Sequence, residues 1–160
     1  MFLSLQDFPY HLRFETCEHT YRLFDFYLLS KNQIPSEAEN KKIFLTCFLI
    51  ASKYVELPTN QYSIPQLLRW FNHNYAISEI LRTEQEILME IDFNMNFDTL
   101  SKIYWKKHHK MVPDWSIWLY FCASNTTSIE RMVEVLESIH IENENAITKE
   151  MFEELKEKLK

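Results

Sequence analysis

The chain has no glycine in 160 residues. That absence removes whole classes of structure before any motif is read. Phosphate-cradling loops, dinucleotide fingerprints and nucleophile elbows need glycine where the backbone meets a ligand or φ turns positive. Sheet-rich folds depend on it at bulges and hairpin turns. Helices joined by short turns can use asparagine instead, which tolerates the left-handed conformation. Asn32, Asn60, Asn72, Asn74, Asn94, Asn96 and Asn125 stand where such turns are expected. The chain is therefore expected to be all-α. At 46% hydrophobic and 15% aromatic it has the material for a packed core, and its length fits one domain or one unit plus a partial second.

Apolar periodicity gives helices almost throughout. From Glu15 to Ser30, Cys17, Tyr21, Phe24 and Leu28 form a stripe. Ser36 and Glu39 have the spacing of a capping box, and the helix they open is apolar nearly all round from Ile43 to Ala51. A helix without a polar face must be surrounded by others, so this is the expected centre of a bundle. Ser63 and Gln66 repeat the capping signal for a short helix over Ile64–Phe71, where Pro65 is tolerated in the first turn. Ser78 to Ile91 follows, with Ile80, Ile87, Leu88 and Ile91 on one stripe, and then a break at Phe93–Asp98. Asp98 is expected to cap a helix over Thr99–Lys107. Further helices are expected over Asp114–Cys122, after a Thr127/Glu130 capping box, and around Met151–Leu159. The expected division is residues 1–97, with only a short first helix before Glu15, and a short helical region 98–160 packed on it.

Little in the sequence supports catalysis. No nucleophile stands in a recognisable context. Cys17, Cys47 and Cys122 are odd in number, lie in apolar patterns and lack CxxC spacing, which reads as reduced core thiols in an intracellular protein. His108 and His109 are adjacent, so on a helix they diverge by about 100° and chelate one metal poorly. No cofactor and no metal site is expected. Met1–Leu5 is apolar but lacks a basic flank, and no stretch approaches a membrane span, so a nuclear or cytoplasmic protein is expected. The net charge of −6 disfavours nucleic acid as the main partner. A local basic patch could still bind it: Lys106-Lys107-His108-His109-Lys110 ends a helix, where cations also complement the dipole.

Two charges stand out. Glu84 lies four residues after Ile80 and four before Leu88 and so interrupts an apolar stripe. Burying it alone would cost several kcal/mol. An internal salt bridge, a stripe edge reaching water, or an interface with another chain would each resolve this. Lys53 ends the apolar central helix, where dipole complementation with a solvated head accounts for it.

Ile50-Ala51-Ser52-Lys53-Tyr54-Val55-Glu56 resembles the signature Leu-Ala-Ser-Lys-Tyr-Glu-Glu that closes the central helix of the cyclin box. Upstream, Glu15-Thr16 through Tyr21-Arg22-Leu23-Phe24-Asp25-Phe26-Tyr27-Leu28-Leu29-Ser30 resembles the second cyclin helix. Downstream, Ile80-Leu81-Arg82-Thr83-Glu84-Gln85-Glu86-Ile87-Leu88, followed by Ile91-Asp92-Phe93-Asn94-Met95, resembles the fifth helix and its exit. Order and approximate spacing agree from Glu15 to Phe97.

The resemblance implies a cyclin-like helical bundle around the central helix, with a truncated second helical part. It implies a non-enzymatic regulatory subunit of the cell cycle and cell division, heterodimeric with a cyclin-dependent protein kinase. The kinase would be activated by holding its C helix and activation segment in the active arrangement. By position, Lys53 and Glu84 would hydrogen-bond kinase backbone, within an apolar surface of Tyr54, Leu88, Phe93 and Met95. The rival reading is a cyclin-fold adaptor in transcription that contacts nucleic acid or a non-kinase protein. Val55 departs from the signature, removing one surface charge. The Met-Arg-x-x-Leu-x-x-Trp motif of the first cyclin helix is missing, so substrate docking through that helix is not expected. The residues after Asp98 are too few for a complete second five-helix box.

Overall fold

The apolar segment around Ile43–Ala51 does become the middle of a bundle. The computed structural model describes residues 13–31, 35–112 and 128–137. Expectations for the first helix before Arg13, for Asp114–Cys122 and for Met151–Leu159 lie outside the described residues. Within them run helices α1 (Phe14–Ser30), α2 (Glu37–Val55), α3 (Ile64–Trp70), α4 (Ile77–Glu90), α5 (Leu100–His108) and α6 (Ile129–Glu137), with no strand among the described residues. The chain divides into two compact units, Met1–Phe97 and Asp98–Lys160. The first holds α1 to α4, and α5 and α6 belong to the second.

Helix α2 is shared by two clusters of buried side chains. On one side Ile43, Cys47, Ile50 and Ala51 meet Leu23 and Tyr27 of α1, with Ile87, Ile91 and Met95. On the other, Leu45, Phe48 and Leu49 meet Leu67 of α3 and Ile80 of α4. Phe44 packs edge-on against Tyr21 and Phe24, each 5.4 Å away between ring centres. Each fully buried aliphatic or aromatic side chain stabilises the fold by about 1.5–3 kcal/mol relative to exposure, so this shared helix fixes the positions of its neighbours.

Helix α1 departs from its expected stripe. Cys17 is buried, but Tyr21, Phe24 and Leu28 are only half-buried. The innermost line runs instead through Thr16, Thr20, Leu23 and Tyr27, with Glu18 and His19 also buried. Polar residues can carry the first half of that line because they are satisfied there: Thr16 donates to Glu56, and Thr20 to the Thr16 carbonyl one turn back, which apolar periodicity cannot register.

Helix starts follow local chemistry with small shifts. Ser36 Oγ accepts from Glu39 N–H at 3.3 Å, whereas the Glu39 carboxylate pairs with Lys42 rather than closing the box. Gln66 Oε1 accepts from both the backbone N–H and the hydroxyl of Ser63, at 2.9 and 2.8 Å. Helix α4 begins at Ile77, one residue early, because Glu79 reaches back to the Ala76 N–H at 2.9 Å. Thr99, not Asp98, caps α5 by accepting from Lys102 N–H. At the start of α6, Ser128 Oγ accepts from Arg131 N–H at 3.2 Å, and the Thr127 half of the expected Thr127/Glu130 box lies outside the described residues.

Among the described residues the turns work without glycine, but not mainly through asparagine. Positive φ occurs at Asn72, Asp92, Phe93 and His109. After α3, Asn72 N–H bonds Arg69 O and His73 N–H bonds Leu68 O, and after α4, Asp92 N–H bonds Met89 O and Phe93 N–H bonds Leu88 O. Both are Schellman endings, which satisfy carbonyls that the helix leaves open. A bulky side chain such as Phe93 is rare in this backbone region.

Candidate docking surface

Helices α2 and α4 cross in the first unit and bring Lys53 onto Glu84. Lys53 Nζ donates to Glu84 Oε1 at 2.6 Å, with side chains 46% and 11% exposed. Of the three ways to accommodate Glu84, the internal ion pair is the one realised. Its character is lopsided: the carboxylate is held inside, while the ammonium that neutralises it faces water. The remaining ammonium hydrogens are donors available to another chain.

Exposed apolar side chains lie near the pair in sequence. Tyr54 follows Lys53 and is 54% exposed, and Phe93, beyond the end of α4, is 68% exposed. Leu88 is half-buried against the first core cluster. Met95 differs from its neighbours in the expected set: it is buried within that cluster beside Ile87 and Ile91. The left-handed pair Asp92–Phe93 reverses the chain after α4, leaving Phe93 outside and Met95 inside. Met95 therefore supports the surface from beneath. The structure also adds Ile77 and Leu81, both exposed, which share a helical line with Glu84 and Leu88. Their spacing of four, three and four was present in the sequence, hidden by the stronger inner line of Ile80, Ile87 and Ile91.

Two residues absent from the sequence reading set the back of this surface. His19, buried on α1, lies with its ring centre 5.2 Å from that of Tyr54 and 6.0 Å from that of Phe97. Its Nδ1 meets the carbonyl oxygen of Glu15 at 2.9 Å, so that nitrogen carries the proton. Glu56, just past α2, is 5% exposed. Its Oε1 accepts from the Arg13 backbone N–H at 3.0 Å and from the Thr16 hydroxyl. Helix α1 has no side-chain cap of its own, so a carboxylate from α2 supplies one and sits at the positive end of the α1 dipole. Gln61 Nε2 donates to the carbonyls of Lys53 and Glu56 at 3.2 and 3.4 Å, closing the end of α2. The stretch carrying Lys53 and Tyr54 is thus tied down on three sides.

Cys17 and Cys47 are free and buried. Burial, with Glu18 and then Glu56 nearby, pushes the Cys17 thiol up to about 12, and burial raises Cys47 as well, so neither is a ready nucleophile. Among the described residues no cluster of three His, Cys, Asp or Glu side chains could hold a metal ion. No helix among them is long and apolar enough to cross a membrane.

Comparison with family models matches residues 5–96 to the N-terminal domain of cyclins. Comparison with curated proteins and with solved structures gives no match.

Proposed function

The chain belongs to the cyclin family, and from that premise we propose that it is the regulatory subunit of a cyclin-dependent protein kinase. Cyclins regulate rather than catalyse, and the chain would contribute no group to phosphoryl transfer. It would act by binding the kinase in one arrangement more tightly than in the other, holding the C helix inward and the activation segment ordered. To take a kinase from 1:99 to 99:1 in favour of the active arrangement, docking must discriminate by about 5.5 kcal/mol.

The observation that carries this reading is the Lys53–Glu84 pair, half open to water, with exposed apolar side chains near it in sequence. An ammonium and a carboxylate side by side offer a donor and an acceptor to a kinase backbone segment. Tyr54, Phe93, Leu81 and Ile77 would exclude water around those bonds, which strengthens them. Because α2 and α4 are locked through the shared core, the surface is formed before binding, and little ordering entropy opposes docking.

The test is binding and activation of a panel of purified cyclin-dependent kinases by the full chain, the Lys53→Ala chain and the Glu84→Ala chain. Both variants are expected to retain helical circular dichroism. Glu84→Ala is expected to lose about 1–3 kcal/mol in affinity for the cognate kinase. Binding to no kinase, or equal unfolding of both variants, would reduce the pair to an internal strut.

A further inference from the structure

A second surface lies on α5, which the kinase reading leaves unused. Between Thr99 and Pro113 the sequence has four lysines, two histidines and no carboxylate, in a chain whose net charge is −6. The structure sorts these charges onto two sides of the helix. On one side, Lys107 and His108 both pair with Glu137 of α6, His108 through Nε2 at 2.8 Å. On the other, positions 102, 105, 106 and 109 fall on one line by helical spacing. This line holds Lys102, Trp105, Lys106 and His109, with Lys110 and Met111 just beyond. Trp105 is 49% and Met111 76% exposed, and the His109 ring stands edge-on to Trp105 at 6.3 Å. His109 closes the helix in the left-handed conformation. Among the described residues, neither Lys106 nor Lys110 is paired with a carboxylate.

Dipole complementation explains cations in the last turn. It does not explain an exposed tryptophan and methionine set among them. Large exposed apolar side chains interleaved with cations suit a ligand that is itself both apolar and anionic. Two such ligands are available in principle, and the field of the whole molecule separates them. A nucleic acid is a long polyanion and meets the negative charge carried by the rest of the chain. A short acidic peptide senses little beyond a Debye length of about 8 Å and meets only the local lysines. We propose that the end of α5, with Trp105, Lys106, Lys110 and Met111, docks a short acidic segment of another protein, its carboxylates on these two lysines and its apolar side chains on Trp105 and Met111. Such a face would give this regulator a means of recruiting a third protein that does not depend on the Lys53–Glu84 surface.

The test uses the full chain and three fluorescent probes: a decapeptide alternating Glu or Asp with Leu and Phe, the same peptide with Lys at the acidic positions, and a twelve-nucleotide oligothymidylate. The acidic peptide is expected to bind, and to weaken about tenfold between 50 and 300 mM NaCl. The paired variant Lys106→Glu with Lys110→Glu is expected to weaken it by at least about tenfold, and Trp105→Ala by about fivefold. Circular dichroism would confirm that the variants remain folded, and Lys53→Ala is expected to bind the peptide as the parent does. Tighter binding of the oligothymidylate than of the acidic peptide would overturn the proposal in favour of a phosphodiester surface. Equal binding of the lysine peptide, no binding at 50 mM NaCl, or acidic-peptide binding that survives the charge reversal would overturn it outright.

Discussion

Glu56 and Glu84 are both buried carboxylates that reach from one helix to another, yet they differ in what neutralises them. Glu56 accepts from the Arg13 backbone and the Thr16 hydroxyl at the start of α1, with the half-exposed Arg13 guanidinium farther off at 3.9 Å. Glu84 accepts from Lys53, whose side chain is nearly half exposed. Burial of the carboxylate therefore does not distinguish the two. The nearest donor does. Glu56 is held first by a backbone N–H and a hydroxyl, which fix the start of α1, whereas the hydrogen bond to Glu84 comes from a charged side chain, and under the proposed function that pair faces a partner.

The contrast makes graded predictions. Glu56→Ala should have the largest effect on folding, because it leaves the Arg13 N–H and the Thr16 hydroxyl without their acceptor. A loss of about 2–3 kcal/mol in urea unfolding is expected. A loss below the error of the measurement would remove the distinction drawn between the two carboxylates. Lys53→Ala should cost less in the same experiment, about 1–2 kcal/mol, because the Glu84 side chain is 11% exposed and water can replace the ammonium beside it. A larger stability loss than that of Glu56→Ala would invert the comparison.

Glu137 extends the series to a half-buried carboxylate. Lys107 and then His108, through their hydrogen bonds, hold its carboxyl below the ordinary value of 4.5. Since the folded-state value is depressed, its stabilising contribution is present above about pH 4.5 and is lost as pH falls through the lowered value. Glu137→Gln should therefore lower the thermal midpoint slightly at neutral pH, with the difference from the parent vanishing in acid and shrinking in molar salt. A difference that persists at low pH would show that Glu137 acts by packing rather than by charge.

Legibility in the sequence followed the range of the interaction. The centrality of α2 was readable because an apolar run on all faces has few other solutions. Helix starts were readable to within a residue where the capping group is local, as at Ser36 and Ser63. The Lys53–Glu84 pair was open to anticipation only as one of three outcomes for a charge in an apolar stripe. The Glu56 cap was not readable: its donors lie forty and more positions earlier, and no local pattern marks a helix capped from a distance. The same limit concealed His19 behind Tyr54. The burial of Met95 was not readable because the turn before it depends on two consecutive left-handed residues, the second of them a phenylalanine, which does not announce one.

The glycine-free turns also act on the denatured ensemble. Every residue in this chain carries a Cβ, so the unfolded backbone samples less of φ/ψ space and loses less entropy on folding than a glycine-bearing chain of equal length. The opposing cost is concentrated at the few left-handed positions, of which Phe93 is the least suited by side chain. A Phe93→Gly chain would relieve that local strain while enlarging the ensemble from which it must fold. The exposed ring of Phe93 is thus carried by a backbone state that most sequences would assign to glycine, and glycine could not have provided the ring.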